Sequence, residues 1–137
     1  MYKILLLFAM IFLHIVDDYY LQGWLASAKQ KNYWEQNAPD KLYKYDYIMA
    51  LFMHSFSWAF MIMLVPTIYV LTAATNINVV TIMIAIFFVV NLCIHMYTDN
   101  QKANKKKINL IQDQLVHLVQ IIGTWVYFIV IISNLKL

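Results

Sequence analysis

The chain has one cysteine, Cys93, and no arginine among its ten basic residues, and only 12% of its 137 residues are charged. A single cysteine rules out an intramolecular disulfide and a cysteine-based zinc cage. The lack of arginine, of a basic helix face and of any recognition motif argues against nucleic-acid binding. No HExxH, P-loop, GxSxG or CxxC signature is present, so no short motif names a reaction. Repeats and low-complexity tracts are missing as well. The only extended polar stretch is Gly23 to Asp46, which contains Pro39, and this reads as one long loop in a single domain covering residues 1–137.

What the chain has in excess is hydrocarbon. It is 63% hydrophobic with a mean hydropathy of +0.63, far more apolar than a soluble domain. Four runs reach the roughly 20 residues needed to span a bilayer as helix: about 2–22, 47–74, 79–99 and 108–133. Backbone groups in lipid must be satisfied internally, so these apolar runs read as helices. The expectation is an all-α integral membrane four-helix bundle with both termini on the same side. Lys3 before a Leu/Ile/Phe stretch, with Ala26 and Ala28 downstream, also fits a secretory signal, but that A-x-A lies well beyond the apolar region and past Asp17, Asp18 and Gln22. The first run is therefore kept as a helix. Pro66 is expected to kink the second helix on its outer side.

The lysines orient the bundle. Lys29, Lys31, Lys41 and Lys44 follow the first run, and Lys102, Lys105, Lys106 and Lys107 follow the third. The opposite side has only Lys3, the uncharged stretch Thr72 to Asn78, and Lys136. By the positive-inside rule the lysine-rich loops are cytoplasmic and the termini face outward. Lys105 to Lys107 read first as a topology signal and second as an attractor of anionic headgroups or phosphate. Tyr19, Tyr20, Trp24, Tyr43, Tyr45 and Tyr47 read as an interfacial belt.

Against this background the ionisable residues stand out. His14 with Asp18, His95 with Asp99, and Asp113 with His117 are each four residues apart, hence on one helix face one turn apart. His54 opens the second run. With four antiparallel helices, all seven residues fall at one depth, roughly 5 to 15 Å inside the lysine-rich loops at 1.5 Å per residue. Gln22, Asn91 and Gln120 extend the same faces, so the amphipathicity is inverted, polar inward and apolar outward.

Small polar groups often hold membrane bundles together by hydrogen bonds, and a hydrogen-bonded layer or a proton or ion path are the alternatives to a metal site. Four carboxylates, Asp17 included, at about 2.5 kcal/mol each approach the stability of a whole domain. A divalent cation compensates such charge better than neutral imidazoles do. Nitrogen and oxygen donors without thiolate suit zinc first, then manganese or iron. The ligand set read from spacing is His14, Asp18, His54, His95, Asp99, Asp113 and His117. It exceeds one closed zinc site, so either one ion with carboxylates orienting its histidines or two ions can be built. Two ions with an open position would be machinery for phosphoester hydrolysis, with Asp18 as general base. Asp17 points about 100° from Asp18 and reads equally as a solvated helix end.

The order of these residues resembles a family of small bacterial and phage membrane proteins catalogued as domain of unknown function 3307. The matching residues are H-I-V-D-D-Y-Y-L-Q at His14 to Gln22, His54, H-M-Y-T-D at His95 to Asp99 and D-Q-L-V-H at Asp113 to His117. The chain carries the Asp17–Asp18 pair where a single Asp is expected. The resemblance implies a four-helix protein of the bacterial inner membrane and names no activity. More distantly, the His/Asp-rich helices resemble inner-membrane proteins described as metal-dependent hydrolases. The two-ion reading of the ligand set adds a phosphate-containing or lipid substrate reached from the membrane interface. The expected function is thus membrane-embedded, metal-dependent hydrolysis of a phosphoester. The alternative is a non-enzymatic protein whose layer is structural or supports partner binding or ion passage.

Overall fold

The computed structural model describes residues 2–73 and 76–132, with the side chains of residues 73 and 131 left aside. Ala74, residue 133 and Lys136, which closed two expected runs and marked the outer side, lie outside the described residues. The described chain is all helical. Helix α1 (Tyr2–Ile15) continues as a π-helical segment (Val16–Leu21), and two short helices, α2 (Leu25–Ala28) and α3 (Lys31–Asn37), lead to a 3-10 turn (Lys41–Tyr43). Three long helices follow: α4 (Asp46–Ala73), α5 (Ile77–Ala103) and α6 (Leu110–Trp125), the last continuing as a π-helical segment (Val126–Ile132). Four stretches are long and apolar enough to cross a membrane: Tyr2–Leu21, Lys41–Thr72, Ile77–Ala103 and Leu110–Val130.

Local chemistry sets the helix ends. Asn109 and Gln112 form a reciprocal capping box, Asn109 Oδ1 accepting from the Gln112 N–H at 2.9 Å and Gln112 Oε1 accepting from the Asn109 N–H at 3.0 Å. This fixes the start of α6 and places Asp113 in its first turn. Asn76 caps α5 through a bond from the Val79 N–H at 3.3 Å. Gly23, at φ +46°, ends the first span in a left-handed conformation that glycine adopts without Cβ strain. Helix α4 runs continuously through the buried Pro66.

The four long helices pack in a ring in which α1 touches α4, α4 touches α5, α5 touches α6, and α6 returns to α1. The three-residue connection between α4 and α5 makes that pair antiparallel. The end opposite the lysine-rich connections is tied by Trp125 Nε1, which donates to the Lys3 carbonyl at 2.8 Å. Met10, Trp58, Ile62, Val80, Ile121 and Phe128 fill the apolar part of the interior.

The surface inverts the pattern of a soluble protein. Phe8, Phe12, Ile82, Val89, Ile111 and Val119 are exposed, whereas every histidine and Asp17, Asp18, Asp99 and Asp113 are buried. An apolar exterior this extensive is stable in lipid, where it meets hydrocarbon rather than water. The chain is a four-helix integral membrane bundle, as its composition leads one to expect.

Two expectations change. The stretch Gly23 to Asp46 is not a plain loop but the α2–α3 segment, which packs onto the cytoplasmic-side end expected for α4. Helix α5 continues to Ala103, past the expected end at residue 99, so Lys102 belongs to the helix and not to the following loop.

Candidate functional site

The histidines and aspartates meet where α1 ends, α4 begins, α5 ends and α6 begins. Trp58 separates them from the apolar core. Its indole stacks on the His95 ring at a centroid distance of 4.2 Å and an interplanar angle of 18°, and its Nε1 donates to His14 Nδ1 at 2.8 Å. The wide turn of the π-helical segment keeps both Asp17 and Asp18 on the inner side: Gln22 N–H bonds the Asp17 carbonyl, five residues back, at 3.1 Å. Asp17 is therefore not a solvated helix end. It is buried, and Ser57 Oγ donates to its Oδ1 at 2.5 Å.

His54 is the centre of the cluster. Its Nε2 lies 3.2 Å from His95 Nε2, 3.3 Å from Asp18 Oδ1 and 3.3 Å from Asp99 Oδ2. His117 Nε2 stands 3.5 Å from both Asp99 Oδ1 and Asp113 Oδ1. Two triads have donor atoms close enough to share an ion, Asp18–His54–His95 and His95–Asp99–His117, and His95 belongs to both. Donors at 2.0 to 2.2 Å from a tetrahedral ion are separated from one another by about 3.3 Å. His54 Nε2 stands at that spacing from Asp18 Oδ1 at 3.3 Å; its 3.2 Å contact with His95 Nε2 is also a hydrogen bond, and Asp99 Oδ2, at 3.3 Å, is shared with Lys29.

Hydrogen bonding supports the fit. Among the described residues, the buried atoms without a hydrogen bond include Asp18 Oδ1, Asp113 Oδ1, His95 Nδ1 and His117 Nε2. Carboxylate oxygens and imidazole nitrogens therefore approach within 3.3 to 3.5 Å without hydrogen-bonding alignment. Orphaned buried groups of this kind cost about 1 to 3 kcal/mol each, and a shared cation satisfies both partners at once. The donor set fits a divalent ion.

The other two predicted ligands lie at the margin. His14 has both ring nitrogens engaged, Nδ1 by Trp58 and Nε2 by Gln114 Oε1 at 3.1 Å. Asp113 Oδ2 accepts from Lys102 Nζ at 2.5 Å and from Gln114 Nε2 at 3.1 Å. Gln114 Nε2 also lies 3.3 Å from Asp18 Oδ2, so one amide links His14, Asp18 and Asp113. Gln120 and Asn91 continue the polar column toward Thr124, with Gln120 Nε2 donating to the Asn91 carbonyl at 3.0 Å and Asn91 Nδ2 to Thr124 Oγ1 at 3.0 Å.

Two lysines were missed as site residues because, by count, they read as loop charges setting topology. Lys29 is only 6% exposed and its Nζ sits 2.5 Å from Asp99 Oδ2; Lys102 holds Asp113 in the same way. No sequence spacing links Lys29 to Asp99, 70 residues away. Lys102 lies in the last turn of a helix whose extent the hydropathy pattern underestimated. Four buried carboxylates against two ammonium groups leave two negative charges in the layer, for histidine protons or a cation to balance. The charge left uncompensated is half of what the sequence alone suggests.

No family model, no curated protein and no solved structure matches the chain. The fold and the site together define a class all the same: a multi-pass helical membrane protein with a buried histidine–aspartate layer. Within that class, the two Lys–Asp pairs, Lys29–Asp99 buried and Lys102–Asp113 part-buried, and the indole beneath the layer characterise this chain.

Proposed function

We propose that the layer binds a divalent cation, zinc first and manganese or iron as alternatives, and hydrolyses a phosphoester from the cytoplasmic side of a bacterial inner membrane. The observation that carries this reading is the spacing of His95, Asp18 and Asp99 around His54 Nε2, at 3.2 to 3.3 Å. The resemblance to the domain of unknown function 3307 family is part of the same proposal and rests on the quoted residues.

In this reading His54, His95, Asp99 and His117 hold the cation, and Asp18 Oδ1 stands beside it. A divalent ion there supplies Lewis-acid polarisation of a phosphoryl oxygen and makes water more acidic. Asp18 serves as general base, its Oδ1 having no hydrogen bond that would have to break. Gln114 holds the other Asp18 oxygen in place. Lys29 and Lys102 supply the only ammonium groups in contact with the layer among the described residues, and they attract a phosphate anion to it. Trp58 closes the layer against the apolar core and fixes the His14 tautomer, since Nδ1 accepts and Nε2 is left to donate to Gln114.

One observation favours a second, structural reading. The seven ligand candidates are between 0% and 7% exposed, so the layer is closed to water, as a bundle-fixing site would be. One preparation separates the two readings. Elemental analysis of the detergent-solubilised protein should find about one divalent ion per chain, and a panel of phosphomonoesters, phosphodiesters and phospholipids should include a substrate whose turnover Asp18→Asn abolishes without unfolding the bundle. Stoichiometric metal without turnover of any panel member would establish the structural role. Metal-free protein whose stability is indifferent to chelator would end both.

A further inference from the structure

Of the four buried carboxylates, Asp99 and Asp113 pair with lysines and Asp18 faces the histidines, which leaves Asp17 without a task. In a regular α-helix two adjacent side chains point about 100° apart. Here the chain widens into a π-helical segment, and both Asp17 and Asp18 are buried. Such a widening gives up regular helix hydrogen bonding and recurs at functional sites. Ser57 Oγ donates to Asp17 Oδ1 at 2.5 Å and so holds the carboxylate in place. The other oxygen, Oδ2, is buried and has no hydrogen bond.

The atom facing that oxygen is His54 Nδ1, 3.8 Å away and likewise buried without a hydrogen bond. Both side chains are 1% exposed, so solvent water serves neither atom. A movement of about 1 Å by the two side chains brings the pair to hydrogen-bond length. The other ring nitrogen, Nε2, faces Asp18, His95 and Asp99. His54 thus spans the layer, one nitrogen toward the ligand cluster and one toward Asp17. Imidazole ligates through an unprotonated nitrogen, and the neutral tautomer with a bare Nε2 carries its proton on Nδ1. Asp18 Oδ1 and Asp99 Oδ2, each 3.3 Å from Nε2, pull the proton the other way. A carboxylate on the Nδ1 side opposes that pull.

We propose that Asp17 is a positioning residue, its Oδ2 accepting from His54 Nδ1–H and so leaving Nε2 free to ligate the divalent ion. That the oriented ring is a metal ligand rests on the metal-binding reading; that Asp17 sets its tautomer does not. The adjacent aspartates then divide the work across one imidazole, Asp18 on the Nε2 side and Asp17 on the Nδ1 side. A carboxylate that orients a histidine ligand in this way changes metal affinity by about 10- to 100-fold when it is lost.

The test uses the full chain in phosphatidylcholine vesicles, labelled with nitrogen-15 at its 4 histidines. Solid-state NMR, with His54 assigned by the signals lost in His54→Gln, should find Nδ1 protonated both with and without added zinc. Asp17→Ala should move that proton to Nε2 in the zinc-free protein. It should also lower zinc affinity, measured against a competing chelator, by about 10- to 100-fold. Asp17→Asn, whose amide oxygen accepts the same N–H, should keep the tautomer and most of the affinity. Phe128→Ala, which loosens the apolar core instead, should leave both readouts unchanged. An unprotonated Nδ1 in the wild type overturns the proposal, and that spectrum decides even where Asp17→Ala does not fold. A tautomer indifferent to Asp17→Ala, a switched tautomer with wild-type zinc affinity, or equal losses in Phe128→Ala would overturn it as well. Wild type that binds no zinc yet shows the Asp17-dependent Nδ1 proton keeps Asp17 as the partner of His54 and removes the metal reading. Tight zinc binding with both readouts indifferent to Asp17 removes the positioning role and keeps the metal.

Discussion

Lys29 shows how far one residue's role can depart from its sequence context. Its ammonium is buried against Asp99 at 2.5 Å, and Asp99 Oδ2 is at the same time 3.3 Å from His54 Nε2. Removing one member of a buried pair leaves an uncompensated charge, which is more destabilising than replacing both. Lys29→Met should therefore lower the unfolding free energy in detergent by about 3 to 5 kcal/mol, and Lys29→Met with Asp99→Asn should recover part of that loss. Thermal melts of the two variants give the comparison, and an unchanged midpoint in Lys29→Met would show that the pair does not form. Trp58 acts at the same scale. Trp58→Phe keeps a ring over His95 but deletes the donor to His14 Nδ1, so it should cost about 1 to 3 kcal/mol by leaving a buried acceptor unpaired.

At the scale of elements, the α2–α3 segment is the least anticipated part of the fold. Asn104, which caps the C-terminal end of α5, holds it with two bonds: Nδ2 donates to the Lys29 carbonyl at 3.1 Å and Oδ1 accepts from the Lys31 N–H at 2.7 Å. Trp34 Nε1 adds a bond to the Ala28 carbonyl at 2.7 Å, and Trp24, Tyr33, Trp34 and Tyr43 pack ring against ring. Those aromatics are partly a packed cluster and not simply a belt. With Asn104→Ala, amide hydrogen exchange over Lys31–Asn37 should quicken by roughly tenfold for each net hydrogen bond lost, at about 1.4 kcal/mol apiece. Exchange as slow as in wild type would mean that the aromatic cluster alone holds the segment.

At the scale of the whole molecule, the lysines bear on orientation and the histidine–aspartate layer on ion content. Eight of the ten lysines lie between Lys29 and Lys44 or between Lys102 and Lys107, although Lys29 and Lys102 are engaged in ion pairs with Asp99 and Asp113, which removes two of them from the free loop charge. Single cysteines at Asn37 and Lys105, both exposed, in a Cys93→Ala background should react with impermeant maleimide only from the cytoplasmic side. Reaction of both from outside would invert the bundle. If the layer carries an ion, chelator should lower the melting temperature of the wild type, because a ligand that binds only the folded state stabilises it by mass action. The shift should be smaller in His95→Ala, which breaks both triads at their shared member.

Hydropathy by itself determined that the chain is helical and crosses a membrane four times, because lipid accepts only backbones that satisfy their own hydrogen bonds. The i,i+4 spacing of His14 with Asp18, His95 with Asp99 and Asp113 with His117 determined which faces turn inward, since it fixes direction on a helix before any packing occurs. Those faces do converge, and His54 joins them at the centre. What spacing could not decide is which donors face one another. Tertiary packing engaged both nitrogens of His14 with Trp58 and Gln114, drew Asp17 inward through the π-helical turn and Ser57, and brought Lys29 across 70 residues to Asp99. These outcomes depend on contacts between elements remote in sequence, where local periodicity carries no information. The net charge of the layer follows from such contacts and not from the inventory of acidic residues.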